Sequence, residues 1–293
     1  MKHAILGAGA IGGLVGTVLA SIGEDVVVIV RAEKLAAYPS NLSLERPSGV
    51  EAITAPARAV TTLEEPVDVL WIATKTYQLQ AALETVKQSP RHVVPLSNGV
   101  DHVEVLRKRF GKESVIPATI AVEAERSAPG EFVQRSPFVR LNLTSSGEPL
   151  LGTIVEKLRK LGFTCQFMPN EQTLLWNKLC FLAPFALVTS ASGMNIGEVL
   201  ADESWRQNLK SAVAEACAVA NASGADLVAA QIQAVFEGVP TAMRSSMQKD
   251  VVAGRQLELD AIGGPIVRGG ERYGMEVKTT ANLMSAIRAK AAA

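Results

Sequence analysis

Apolar residues follow two rhythms along this chain, and the change falls at Pro169-Asn170. Before that point they come in short, β-branched runs: Lys2–Leu6, Val26–Val30, Val67–Ala73, His92–Leu96, Val115–Val122, Phe132–Leu143 and Phe163–Met168. Near-continuous apolar runs of this length are what strands buried on both faces look like. Shorter strands are expected near Leu42–Leu44 and Val50–Ile53, with Pro129-Gly130 as a turn. Helix-compatible stretches separate the strands: one after Gly12, then Gln78–Val86, Val103–Phe110 and Gly152–Leu161. After Asn170 strand signals stop, and Ala-rich helical stretches take over at Glu171–Ser192, Glu203–Ala222, Asp226–Glu237, Arg244–Val252, Leu257–Tyr273 and Thr279–Lys290. Alternating strands and helices followed by helices alone predict an α/β chain: an N-terminal Rossmann-like parallel-sheet domain over 1–169 and an all-helical domain over 170–293.

The first strand runs directly into Gly7-Ala8-Gly9-Ala10-Ile11-Gly12, and a helical stretch and a second strand follow. This is the order a dinucleotide site requires. Gly7 permits the tight turn, Gly9 lets backbone approach a pyrophosphate, and Gly12 lets helix and strand pack closely. The amide N–H groups at the helix start then face the phosphate charge, which the helix dipole also favours. Sites that select NAD place an acid at the end of the second strand; this chain has Arg31 there, a fixed cation suited to a 2′-phosphate, with Glu33 nearby. The preference expected is therefore for NADPH/NADP. The uncharged stretch Ala4–Gly23 resembles a membrane or signal segment by composition, but its glycines and the Val-rich strand behind it argue for the nucleotide fold.

Charge narrows the partners. Lys and Arg number 29 against 29 Asp and Glu, so no basic field exists to recruit nucleic acid or a membrane surface. Cys165, Cys180 and Cys217 lie far apart without a C-x-x-C pair, which predicts a reducing, cytoplasmic setting and no metal framework. The histidines are scattered, and His92 and His102 are expected at the surface or in loops. The Ala- and Leu-rich helical domain offers a face for a homodimer, a pattern that core packing also produces.

In open parallel sheets ligands collect at the carboxyl ends of strands. Lys75 and Asn98 both stand there, in Thr74-Lys75-Thr76 and Ser97-Asn98-Gly99. A nicotinamide enzyme acting on a carbonyl also needs an acid for the developing alkoxide and an anchor for the substrate. No Ser-x-x-x-Tyr-x-x-x-Lys arrangement supplies them.

A further set of segments appears in fixed order: Gly7–Gly12, Arg31, Thr74-Lys75, Asn98-Gly99, Trp176-Asn177-Lys178-Leu179, Ser245-Ser246-Met247-x-x-Asp250 and Leu257-Glu258-Leu259-Asp260. Together they resemble the ketopantoate reductase (2-dehydropantoate 2-reductase) family over nearly the whole chain. The resemblance implies NADPH-dependent reduction of a 2-oxo acid to a 2-hydroxy acid, with ketopantoate as the leading substrate, as in pantothenate biosynthesis. It implies Lys178 as general acid, Glu258 beside it and touching the nicotinamide ribose, Ser246 on the substrate carboxylate and Asn98 between substrate and cofactor. Lys75 would serve the cofactor side, with Gly7, Ala8, Gly9, Ala10, Ile11 and Gly12 on the pyrophosphate and Arg31 on the 2′-phosphate. The apolar neighbours Leu174, Leu175, Trp176, Leu179 and Phe181 independently suggest that Lys178 is desolvated, which lowers a lysine pKa.

Two departures stand out. Where the family usually carries Asn four and eight residues after this lysine, on one helical face, the chain has Leu182 and Ala186. A further family Asn corresponds to Ile196, with Asn195 adjacent. A less polar substrate face points to a 2-oxo acid with a more apolar side chain or to weak ketopantoate turnover. An opine-type dehydrogenase and a catalytically weak NADPH sensor remain open as alternatives.

Overall fold

A computed structural model describes residues 1–292; Ala293, the last position of the expected helical domain, lies outside the described residues. The chain divides into two compact units. The first comprises Met1–Ser97 and His102–Pro169; the second comprises the four residues Asn98–Asp101 with the chain from Asn170 onward.

In the first unit the chain opens β1 (Lys2–Leu6), α1 (Ala10–Ser21), β2 (Asp25–Ile29) and a short α2 (Ala32–Leu35). It continues through β3 (Asn41–Glu45), β4 (Ile53–Pro56), β5 (Arg58–Val60), β6 (Val69–Ile72), α3 (Leu79–Leu83) and β7 (His92–Pro95). It closes with α4 (His102–Phe110), β8 (Ala118–Ala121), β9 (Ala124–Ala128), β10 (Glu131–Gln134), β11 (Val139–Thr144), α5 (Glu148–Lys160) and β12 (Phe163–Met168).

Five of these strands form one parallel sheet in the order β5-β2-β1-β6-β7. The chain runs outward from β1 on one side and later returns to build β6 and β7 on the other. The reversal sits between β1 and β6, the place where open sheets bind ligands. Register brings Leu6, Ile29, Ile72 and Pro95 to one sheet edge, so the glycine loop, Arg31 and Lys75 all emerge there. The parallel strands are apolar on both faces because both are covered: Ala4, Ile5, Val28, Val69, Leu70 and Val93 are fully buried.

Two smaller sheets accompany the main one, in the orders β4-β3-β10-β9 and β12-β11-β8. The expected continuous strand Phe132–Leu143 is two strands, β10 and β11, interrupted across Ser136-Pro137. Proline cannot donate to a ladder, and the Ser136 hydroxyl bonds the Glu123 amide and the Phe138 carbonyl instead. The expected helix Gln78–Val86 is only α3 preceded by a single 3-10 turn. Its last residues are drawn into pairing with Leu63, whose amide donates to Thr85 and whose carbonyl accepts from Lys87. His102, expected at the surface, is 5 % exposed at the start of α4.

The second unit is helical: α6 (Glu171–Ser192), α7 (Ile196–Ala201), α8 (Glu203–Ala222), α9 (Ala229–Val235), α10 (Ser246–Val252), α11 (Leu259–Tyr273) and α12 (Lys278–Ala292). Asn170 caps α6 by accepting from the Thr173 amide, and Gly193 ends it in the left-handed conformation. That helix is long and apolar enough to span a bilayer, yet 78 % of its apolar window is buried. It is apolar on all sides because α8, α10, α11 and α12 pack around it.

Candidate active site

The glycine loop is built almost wholly from main chain. Gly7 has φ 103°, and a Cβ there would lie 2.8 Å from the Ala73 and Thr74 backbone. A Cβ on Gly12 would lie 2.1 Å from the Gly7 carbonyl oxygen, so the turn and the first turn of α1 close only around glycine. Gly9 caps α1 without a side-chain hydrogen bond, and the first turn of α1 carries no acid. Among the described residues, nothing beyond its own chain neighbours lies within 4 Å of where a Gly9 Cβ would stand. Uncapped helix amides, open space and no competing carboxylate fit a diphosphate. The Ala8 carbonyl accepts a hydrogen bond from Arg126 Nη1 at 3.1 Å.

Arg31 and Lys75 lie on the same unit. Arg31 is exposed at the start of α2, its Nε 3.2 Å from the Glu33 carboxylate. An anion arriving there competes with Glu33 for the guanidinium. Lys75 is half-buried at the start of the 3-10 turn that follows β6.

On the second unit a lysine cluster forms around α6. Trp176, Leu179 and Cys180 are buried in the helical core, which turns Lys178 to the edge of that core, half-buried. Its ammonium donates to Asn98 Oδ1 at 3.0 Å, and Asn98 Nδ2 donates to Glu258 Oε2 at 3.2 Å. Glu258, just before α11, is 5 % exposed. Burial pushes the Lys178 pKa down to about 8, and the Glu258 charge opposes that shift.

Both ends of the Asn98–Asp101 loop are held by residues at α11. Asn98 meets Glu258 at one end; at the other, Arg268 binds Asp101 at 2.5 Å and Asp260 at 2.8 Å. Between them Gly99, at φ 86°, admits the Ala261 carbonyl, which would lie 2.3 Å from a Cβ. That carbonyl comes free because the residue four positions on is Pro265, which has no N–H to return. A proline in a helix thus makes the seat for an Asn-Gly loop.

The structure therefore brings Asn98, Lys178 and Glu258 together. Ser246 stands exposed at the first position of α10 and takes no part in their hydrogen bonds. Its neighbour Ser245 is buried, accepts from the Gln248 amide and pairs with the Thr189 hydroxyl at 2.9 Å. Asp250 of the same motif binds Arg255 at 2.7 Å. Leu182, one turn beyond Lys178, is half-buried, while Ala186 and Ile196 are fully buried in the helical core. Asn195 is a helix cap, in a reciprocal pair of bonds with Glu198. Arg126, which reaches the Ala8 carbonyl, and Asp101, which pairs with Arg268, stand in no motif of the sequence. Among the described residues no group of three or more His, Cys, Asp or Glu is placed to hold a metal.

A glycine loop at the switch point of the first unit's sheet and, in the second unit, a half-buried lysine held by an amide are each of a kind that an oxidoreductase acting on a CH–OH group uses. Two family models match, "Ketopantoate reductase PanE/ApbA" over residues 3–145 and its C-terminal counterpart over 170–291. The chain belongs to the ketopantoate reductase family. A 2-dehydropantoate 2-reductase of Caulobacter vibrioides is 33 % identical over 98 % of both chains. Among solved structures, a ketopantoate reductase from Ralstonia eutropha superposes with a TM-score of 0.86 at 25 % identity, over 100 % of this chain and 99 % of that one. A ternary D-mandelate dehydrogenase structure with NADH and anilino(oxo)acetate reaches 0.88 at 22 % identity, with the same coverage.

Proposed function

We propose that the protein reduces a 2-oxo acid to the 2-hydroxy acid with NADPH, in the cytoplasm, with ketopantoate as the first substrate to test and Lys178 as general acid. The observation that carries this is the Lys178 ammonium, held by Asn98 and with a pKa near 8. NADPH supplies the hydride when bound. Gly7–Gly12 would hold its diphosphate, Arg31 its 2′-phosphate and Lys75 the neighbouring part of the cofactor. Lys178 donates a hydrogen bond to the substrate carbonyl, stabilises negative charge as it grows on that oxygen, and then gives it a proton. A pKa close to working pH suits that transfer better than the 10.4 or so of an exposed lysine. Asn98 and Glu258 fix the ammonium's position, and Ser246 would take the substrate carboxylate.

A second reading of the substrate rests on Leu182. Its half-buried side chain lies one turn beyond Lys178, on the same face of α6, and offers no partner to a substrate hydroxyl. A site without that partner favours a 2-oxo acid with a branched, apolar side chain. Steady-state kcat/KM with NADPH against ketopantoate and branched 2-oxo acids separates the two. Ketopantoate far ahead removes the second reading. Tight NADPH binding with no turnover of any 2-oxo acid removes both and leaves a sensor, and amine-dependent oxidation of NADPH indicates an opine-type enzyme.

A further inference from the structure

Arg126 belongs to a different sheet from the strands that carry the glycine loop, yet it reaches that loop. It lies on β9, paired in register with Phe132 of β10. Phe132 is 1 % exposed and its ring fills the space above Gly13, where a Cβ would come within 1.9 Å of it. Packing of Phe132 on α1 therefore fixes β10, and the ladder fixes Arg126 beside the start of α1. There Arg126 Nη1 donates to the Ala8 carbonyl. A guanidinium carries five N–H donors in a rigid fork, so one bond to a carbonyl leaves most of them available. Such a fork matches the paired oxygens of a phosphate.

The surroundings suit an anion. The α1 amides lack a side-chain cap, and the space beside Gly9 is open. Tyr38 stands close enough to feel the Arg126 charge, and its buried hydroxyl has no hydrogen-bond partner among the described residues. Burial pushes the phenol pKa up to about 12, and the hydroxyl is protonated at any working pH.

We propose that Arg126 is a cofactor-binding residue: a cation contributed by the second sheet that clamps a phosphate of the dinucleotide against the glycine loop. The inference rests on the NADPH reading above. The phosphate is the diphosphate or the adenosine 2′-phosphate, and comparing cofactors distinguishes them.

The test is direct binding, followed by NADPH and NADH fluorescence, for the wild-type protein, Arg126→Ala, Arg126→Lys and Arg135→Ala. Arg135 is an exposed cation of the same region, ion-paired with Glu125, and serves as control. Arg126→Ala is expected to weaken binding about tenfold and to make it less sensitive to salt, while Arg126→Lys recovers part of the loss. An equal loss for NADH and NADPH assigns the diphosphate; a loss confined to NADPH assigns the 2′-phosphate. Thermal unfolding of the cofactor-free proteins supplies the second readout. A wild-type protein that binds, with an Arg126→Ala variant that binds equally well or merely melts earlier, overturns the inference and leaves the cofactor reading standing. A wild-type protein that binds neither dinucleotide overturns both.

Discussion

The glycine loop and the Lys178 cluster are made of opposite materials. The loop is contained within six consecutive residues, and its main chain closes because Gly7 and Gly12 carry no side chain. The cluster is three side chains drawn from positions 80 and 160 residues apart, held together because one amide bonds an ammonium on one side and a carboxylate on the other. A main-chain site tolerates few substitutions but can be read from spacing. A side-chain site exists only after the helical unit has packed.

That contrast can be broken at its strongest point first. Gly12→Val puts a branched side chain where even a Cβ would lie 2.1 Å from the Gly7 oxygen. It is expected to destabilise the first unit by about 1–3 kcal/mol through overpacking. NADPH affinity should fall by at least about a hundredfold as the diphosphate cradle opens. Calorimetry together with fluorescence titration checks both; a variant that melts normally and binds normally would show that the loop's shape is not set by its glycines.

Lys178→Ala comes next. Here kcat should drop by about a hundredfold, roughly 2.7 kcal/mol, with NADPH affinity nearly kept. Unchanged turnover would remove the lysine from the mechanism. The wild-type pH profile sharpens the same point. Lys178 must be protonated to act as acid, and its pKa is about 8. In the reduction direction kcat/KM should therefore hold level below about pH 8 and decline about tenfold per unit above it. In the reverse direction, which needs the neutral amine, the rate should rise towards pH 8. A reduction limb first appearing near pH 10 would mean that the ammonium is hydrated in solution.

A smaller effect is expected at Asn98. Asn98→Ala removes one hydrogen-bond partner each from Lys178 and Glu258 but leaves Arg268 holding Asp101, so the fold should survive. The loss in kcat should be about tenfold, as for an orienting group; thermal unfolding compared with kinetics separates this from collapse of the loop. Smallest is Arg31→Ala, which should raise KM for NADPH about tenfold and leave NADH almost untouched, because the exposed guanidinium is already partly satisfied by Glu33. Equal effects on both cofactors would make Arg31 an ordinary surface residue.

The sequence declared the parallel sheet and α6 well, because both are extremes of burial: β6 is apolar throughout, and α6 is bounded by an Asn cap and a Gly stop. It concealed β9, whose Ala-Glu-Arg-Ser-Ala is mostly exposed and has no apolar alternation. Arg126 was hidden with it. The capping box that starts α7 carries its own spacing signal, Asn195 with Glu198 three residues on. Of the Lys178 cluster, the lysine itself was recognisable from its apolar neighbours. Its geometry was not, because the seat for Asn98 depends on a carbonyl released by Pro265 in a helix far along the chain.

The neutral amide of Asn98 stands between a positive and a negative group. Were Lys178 to touch Glu258 directly, the ion pair would grip the proton and make it costly to surrender. With Asn98 interposed, the carboxylate steadies the ammonium only at one remove, like an insulator between two terminals. On the proposed mechanism the lysine would discharge and recharge once per turnover without rebuilding its surroundings, and the amide that spaces the charges would set how easily the proton leaves.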